Sequence, residues 1–343
     1  MVVRLKDIAQ DLGLSVVTIS KVLRGHPDIG DETRQRVLLR TKELNYQPNY
    51  AARSLITGKS WTIGLVVPDL LHPFFAQIAE EISAQVRKQG YSLFIASSDE
   101  DADLEQNEIR QLSARRVDVM LIASAQRSAE SFREMEESKI PFILIDRQIP
   151  EVEANFVGGD DCAVGLLATN HLLEVGCQRI AHIRGPEVST AIGRLEGYTH
   201  GLSVGGLTSL PGHIVSTGTS GDHRGVTAGY TAAKKLLARK IRPDGIFCFN
   251  DPVAIGAMRA ILDTGLRIPE DVAVVGCGNL PYSDFLRVPL SSVDQGSKTI
   301  GKRAALLALN LAHSKDNPGP KSELITPHLV VRASSLRIRS SAD

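Results

Sequence analysis

The chain has 343 residues, enough for two or three domains, and its 39 basic and 39 acidic side chains cancel. Zero net charge taken alone speaks against a nucleic-acid partner. The charges are unevenly spread, however, with 10 Lys/Arg against 6 Asp/Glu in residues 1–60 and 29 against 33 beyond, a basic head on an acidic body.

The first organised stretch is LKDIAQDLGLSVVTISKVLR, from Leu5 to Arg24. Leu5, Ile8, Ala9 and Leu12 recur at three- and four-residue spacing and make one apolar helix face. Gly13 supplies the backbone freedom of a tight inter-helix turn, and Ser15 is a good N-cap for a second helix. In that helix Ile19, Val22 and Leu23 face inward, which leaves Val16, Val17, Ser20 and Lys21 outside. Two exposed valines on a first turn suit a surface of methyls and polar edges, such as the major groove of DNA. The plainer reading is a helical hairpin whose Val16 and Val17 pack on a neighbouring domain. A third helix is expected over Asp31–Leu44, with Val37, Leu38 and Leu44 inward and Tyr46 closing a small core. Pro48 ends it, and the small-residue stretch that follows is too short to hold a helix alone in water.

From Trp61 the pattern changes. Thr62–Val67 is a continuous apolar run of the kind buried parallel strands show. Helix and strand then alternate: helix Pro73–Gln89, strand Tyr91–Ala96, helix Leu104–Arg115, strand Val117–Ala123, helix Ser128–Ser138 and strand Pro141–Ile145. Near Asp160 the series restarts with helix Cys162–Val175, strand Arg179–Ile183, helix Ile192–Val204, strand His213–Val215 and helix Val226–Ala238. Strand Gly245–Phe247, helix Pro252–Thr264 and strand Val272–Val275 continue it. Two αβ series of similar length predict two doubly wound halves facing a cleft. Helix Gly296–His313 and strands near Leu324–Thr326 and Leu329–Arg332 are expected to cross back between them. Ligands of such sheets bind beyond the carboxyl ends of the strands, so the loops after Val67, Ile145, Ile183, Phe247 and Val275 are the candidate site.

The segments LKDIAQDLGLSVVTISKVLRG, AARSL, TIGLVVPDLLHPFF, IPFILIDR, RIAHIRGP, GRLEGY, FNDPVAIGAMRAI, IPEDVAVVG and PLSSVDQ occur in this order over nearly the whole chain. In them the sequence resembles the lactose-repressor (LacI) family of bacterial transcription regulators. The resemblance implies a small all-α helix-turn-helix headpiece and an α/β periplasmic-binding-protein-like core of two doubly wound subdomains. The headpiece would occupy residues 1–47, a hinge helix and linker 48–60, and the ligand-binding and dimerisation core 61–343. Within the core one subdomain is expected over about 61–160 and 293–322, the other over about 161–292 and 323–343. Implied partners are a near-palindromic double-stranded DNA operator, a second copy of the chain and a small effector of carbohydrate type. No cofactor, metal or membrane is implied.

Carried over by the resemblance, Val16, Val17 and Lys21 fall at base-reading positions, and Ser15, Thr18 and Ser20 would bond phosphates. Asn49, Ala52 and Leu55 lie in the hinge, where Leu55 would enter the minor groove and kink a base step. Gly30 stands where many members carry a capping serine. In the core, Phe74 and Phe75 would form the mouth of the cleft, with Asp146, Arg147, Arg194, Asn250, Asp251, Asn279 and either His223 or Arg224 contacting the effector. Several have a second reading: Phe74 as helix core, Asp146–Arg147 as an internal ion pair, Asn250 as the cap of the next helix. Gly278 replaces an aspartate common in sugar-binding members. With Arg147, Arg184 and Arg194 in nearby loops, that loss points to an effector bearing an acidic group.

Other classes fit less well. Gly276-Cys277-Gly278 after a strand is an incomplete dinucleotide loop, and neither a P-loop nor G-x-S-x-G occurs, so no enzyme is expected. The four cysteines show no C-x-x-C spacing and read as core residues of a reducing compartment. A transport-type sugar-binding protein without DNA binding would share the core. MVVRLKDIAQ lacks a signal peptide's apolar stretch, and no run approaches the roughly 18 apolar residues of a membrane span, so a cytoplasmic protein is expected. The C-terminal RIRSSAD carries no heptads, which argues against a coiled-coil tetramer.

Overall fold

Among the described residues of the first unit, Met1–Ser60, the computed structural model forms the helices Leu5–Leu12 (α1), Val16–Leu23 (α2) and Asp31–Glu43 (α3). The structure describes residues 3–23, 26–46, 54, 58–126, 128–149, 151–218, 225–314 and 319–337. Asn49, Ala52, Leu55 and the alternatives His223 and Arg224, all expected contact positions, lie outside that set.

Gly13 adopts the left-handed conformation at φ 65°, and the N–H groups of Gly13 and Leu14 return to the Gln10 and Ala9 carbonyls to close α1. Ser15 caps α2, its Oγ accepting the Thr18 N–H at 3.0 Å. Ile8, Ala9, Ile19, Val22 and Val37 are buried together, with Leu44 and Tyr46 packed against them. Gly30 begins α3 from an extended conformation with no side-chain cap. Leu38, expected inward, is 44% exposed. Once Val37 points to the core, Thr41 and Leu44 share its face, and Leu38 lies about 100° round the helix. The inner face is Val37's.

The second unit, Trp61–Asp343, holds two six-stranded sheets. The first half runs β1 (Thr62–Val67), α4 (Pro73–Lys88), β2 (Ser92–Ser97), α5 (Ala102–Ala114), β3 (Val119–Ile122), α6 (Arg133–Ser138), β4 (Phe142–Ile145) and β5 (Asn155–Gly159). The second runs α7 (Asp161–Glu174), β6 (Ile180–Arg184), α8 (Ser189–Val204), β7 (Ile214–Ser216), α9 (Gly225–Leu237), β8 (Gly245–Cys248), α10 (Asp251–Asp263), β9 (Ala273–Cys277) and β10 (Ser291–Asp294). After these come α11 (Ser297–His313), β11 (Ser322–Ile325) and β12 (His328–Val330). The strand orders are β11-β5-β4-β3-β1-β2, all parallel, and β12-β10-β9-β8-β6-β7, parallel except for β12. Apolar clusters cover both faces of each sheet, which is why inner strands such as β1, β3 and β4 read as unbroken apolar runs. Among the described residues no helix is long and apolar enough to cross a membrane.

The chain crosses between the halves three times: after β5, after β10 and after β11. The first crossing, at Asp160, is where the pattern restart puts it. The other two correct the expected boundaries. β10 pairs with β9, Val293 facing Cys277, so residues 293–294 belong to the second half. β11 pairs with β5 along its whole length, so 323–325 belong to the first.

α7 and α8 approach more closely than side chains permit. A Cβ on Gly165 would stand 2.1 Å from the Arg194 carbonyl oxygen, and one on Gly197 would stand 2.0 Å from that of Cys162. The contact brings Arg194 of α8 beside Asp161 at the start of α7. Gly197→Ala should therefore lower core stability by roughly 1–3 kcal/mol, read from urea unfolding. An unchanged midpoint would mean that the helices can separate freely.

Candidate functional site

On the first unit, Val16 and Val17 are 44% and 63% exposed on the first turn of α2. The Ser15 and Thr18 hydroxyls meet at 2.8 Å beside them, so the cap and the outward face share one turn. Lys21 is half-buried and donates to Asp28 Oδ2 at 2.5 Å. That hydrogen bond, with a second contact to His26, holds the Asp28 carboxyl below its usual range. In this state the expected guanine-reading lysine is folded back on an acid.

In the second unit a cavity of about 440 Å³ lies between the halves, at the carboxyl ends of β1, β4, β6, β8 and β9. Phe74, Phe75, Asp146, Arg147, Arg194 and Asn250 of the expected set all line it. Phe74 and Phe75 are also almost fully buried, so the core and cleft readings are both met. His72, Glu100, Phe249 and Gln295 join them from positions not expected as contacts.

Arg147 leaves β4 and forms a two-pronged pair with Glu100, at 2.8 and 2.6 Å, while Nη1 also donates to the Ser124 carbonyl at 3.2 Å. Burial works against its charge, but Glu100, with Asp146 and Glu105, outweighs that and raises the guanidinium's pKa. Asp146 adopts φ 63° just before it, and its carboxylate is ion-paired with Arg147 Nε at 3.9 Å. That is too long for a hydrogen bond, and burial pushes the Asp146 carboxyl up. Among the described residues it accepts no hydrogen bond. Its carboxylate faces the cavity.

Arg194 is 3% exposed. Its Nε donates to Asp161 at 2.9 Å, Nη1 to the Phe249 carbonyl at 2.7 Å and Nη2 to Gln295 at 2.6 Å. The guanidinium carbon also lies 4.6 Å from the centre of the Phe249 ring. Asn250 caps α10, Oδ1 accepting the Val253 N–H at 3.0 Å, and its Nδ2 reaches across the cleft to 3.3 Å from His72 Nε2. His72 in turn caps α4, with Phe74 N–H 3.3 Å from Nδ1. Burial pushes the His72 imidazole down to about 4, so it is neutral. A neutral ring accepts at one nitrogen only, yet two donors face it. A ligand oxygen taking either donor would resolve that mismatch.

Two expected contacts are corrected. Asp251 does not line the cavity: it is fully buried, accepting the Leu280 N–H at 2.9 Å and the Ser292 hydroxyl at 2.6 Å. Asn279 is turned away too, donating to Asp294 at 2.9 Å and accepting from Arg332 at 2.8 Å. It does not stand in for the aspartate missing at Gly278. The three arginines invoked for an acidic effector already have carboxylates: Arg147 has Glu100, Arg194 has Asp161, and Arg184 has Glu187 at 2.5 Å. Arg184 is not on the cavity at all. Gln295 had a readable signal, since it ends the PLSSVDQ segment at a crossing. Glu100 had none, because its role depends on which loop faces Arg147.

A helix-turn-helix unit joined to a two-lobed core with a cleft at its strand ends defines a ligand-responsive regulator. A model of bacterial regulatory proteins of the lacI family matches residues 4–49, and one of periplasmic binding proteins and the sugar-binding domain of the LacI family matches 60–333. The chain is 30% identical over 334 residues to the HTH-type transcriptional repressor PurR of Haemophilus influenzae (strain PittEE), covering 96% of this chain and 98% of that one. It is 33% identical over 329 residues to the ribose operon repressor of Halalkalibacterium halodurans, covering 96% of each. The lac repressor dimer bound to operator and the anti-inducer ONPF superposes with a TM-score of 0.85 at 25% identity, covering 98% of this chain and 100% of that one. The chain belongs to the LacI family of bacterial regulatory proteins.

Proposed function

We propose that this regulator is a cytoplasmic homodimeric repressor. Its two first units would bind adjacent half-sites of a near-palindromic operator, with affinity set by a small ligand in the core cavity. The observation that carries the DNA half is the exposed Val16–Val17 turn on the second helix of a helix-turn-helix. A transport-type binding protein has no use for that surface. Residues 1–47 act as the headpiece and 48–60 as the hinge, where Leu55 enters the minor groove. For the second copy, edge strand β2 offers Phe94 and Ile95, 43% and 45% exposed. Exposed apolar residues on a sheet edge invite a partner.

The ligand fits best as a neutral, hydroxyl-rich molecule rather than an acid. Asp146 and the Glu100–Arg147 pair offer acceptors and donors at fixed positions, while Phe74 and Phe75 cover an apolar face. The arginines are neutralised in place, and an anion would have to break one of those pairs. No step of this reading is catalytic.

Two outcomes test it. Selection from a random DNA pool with the full chain should enrich a near-palindromic site. Lys21→Ala should weaken that site by roughly 1–2 kcal/mol, while Asp28→Asn should tighten it by releasing Lys21. A pool that enriches nothing refutes the DNA half, and a Lys21→Ala protein that binds as before refutes the base-reading role of Lys21. Separately, a thermal-shift screen of the full chain should find its saturable rise among neutral sugars. A rise confined to sugar acids and sugar phosphates would overturn the neutral-ligand assignment alone.

A further inference from the structure

The carboxylate that faces Arg147 is brought there by strained backbone. Asp99 and Glu100, between β2 and α5, adopt φ 49° and 59°, two successive left-handed residues of which neither is glycine. That region crowds a Cβ against the following carbonyl, and a side chain as long as glutamate is seldom found there. The loop is pinned at both ends. The Ser98 N–H donates to the Val67 carbonyl at 2.9 Å and the Glu100 N–H to the Pro68 carbonyl at 3.1 Å. Asp101 then caps α5, its Oδ1 accepting the Asp103 and Leu104 N–H groups at 2.8 and 2.9 Å. Strain of this kind persists where the surrounding contacts over-determine it, and it gathers at binding sites.

The strained loop delivers one carboxylate to one guanidinium. Glu100 takes both Nη atoms of Arg147, at 2.8 and 2.6 Å. Its side chain is 31% exposed against 6% for Arg147, so Glu100 stands on the solvent side of the pair, and both line the main cavity. Arg194, the other arginine on that cavity, is held differently, because its carboxylate partner Asp161 is not on the cavity wall. No other acid takes Glu100's place at the Nη atoms. Asp146 is 3.9 Å from Nε, and Glu105 accepts from the Ser124 hydroxyl and the Ala125 N–H, each at 2.5 Å. A planar guanidinium fork is the protein group best matched to a carboxylate or phosphate. Glu100 fills it as an acidic ligand would.

We propose that Glu100 determines the specificity of the main cavity: as a built-in carboxylate on the Arg147 fork, it excludes ligands bearing a carboxylate or phosphate and admits uncharged ones. The inference rests on the reading of that cavity as the ligand site. It goes further by assigning the choice of neutral over acidic ligands to one displaceable side chain.

The test removes the carboxylate and offers one back from solution. In the full chain, Glu100→Gly deletes the side chain at a backbone angle that glycine adopts freely. Sodium acetate is titrated against the melting temperature at neutral pH, with sodium chloride holding the ionic strength constant and acetamide as the uncharged control. Acetate at about 100 mM should raise the melting temperature of the variant saturably, by roughly 2–4 °C, and acetamide should not. Wild type should respond to neither. Glu100→Gln keeps the size of the side chain and should gain a smaller acetate response, which tests the assignment even where the glycine variant folds poorly. Variants that ignore acetate, or a wild type that responds as strongly, would overturn the role of Glu100 and leave the pair a purely structural one. Neutral sugars that leave wild type unmoved would overturn the neutral-ligand reading alone, since the acetate response needs no sugar.

Discussion

A single buried cation joins the cavity to the backbone that connects the two halves. Arg194 has almost no contact with water, so its charge must be neutralised by protein. The groups that do so come from Asp161 at the first crossing, Gln295 at the second and Phe249 in the cavity wall. Burial opposes the charge, and the nearby negative groups, Asp161 and Asp146 among them, outweigh it. Removing one partner of such a pair costs about 3–5 kcal/mol, because the remaining charge is left buried and alone. Any ligand that competes for Arg194 therefore acts on both crossings at once.

The close approach of α7 and α8 makes the arrangement possible. Without Gly165 and Gly197 the helices would stand further apart, and Arg194 would lose its reach to Asp161. The same economy is seen at the cleft mouth, where His72 and Asn250 each cap a helix and also face one another across the gap. Groups that shape the cavity are the ones that begin its helices. Binding and the relative setting of the halves thus draw on the same hydrogen bonds.

Much of this was legible in the residues. Apolar runs such as TIGLVV marked strands buried on both faces, and the i, i+3, i+4 spacing from Leu5 marked α1. Two strands were missed for a physical reason. β5 carries two glycines, and in β10 Ser291 and Ser292 are fully buried by bonding their hydroxyls to Arg332 and Asp251 rather than by packing. Hydrogen bonding replaced the apolar signal there. The site was legible where a residue acts at a strand end, as with Asp146, Arg147 and Asn250. It was not legible where tertiary pairing decides the role: Asp251 and Asn279 sit in the expected loops but spend their polar atoms inside the second half. The arginines could be placed from the chain, but their carboxylate partners, up to 47 residues away for Arg147 and Glu100, could not.

The most direct measurement is native-state hydrogen exchange on the full chain, comparing wild type with Arg194→Lys. Lysine keeps the charge but cannot reach Asp161, Gln295 and the Phe249 carbonyl together. If Arg194 ties the cavity to the crossings, exchange should quicken at residues 159–161 and 294–297 while the centres of β1 and β8 stay protected. Faster exchange spread evenly over both sheets, or none at the crossings, would contradict that role.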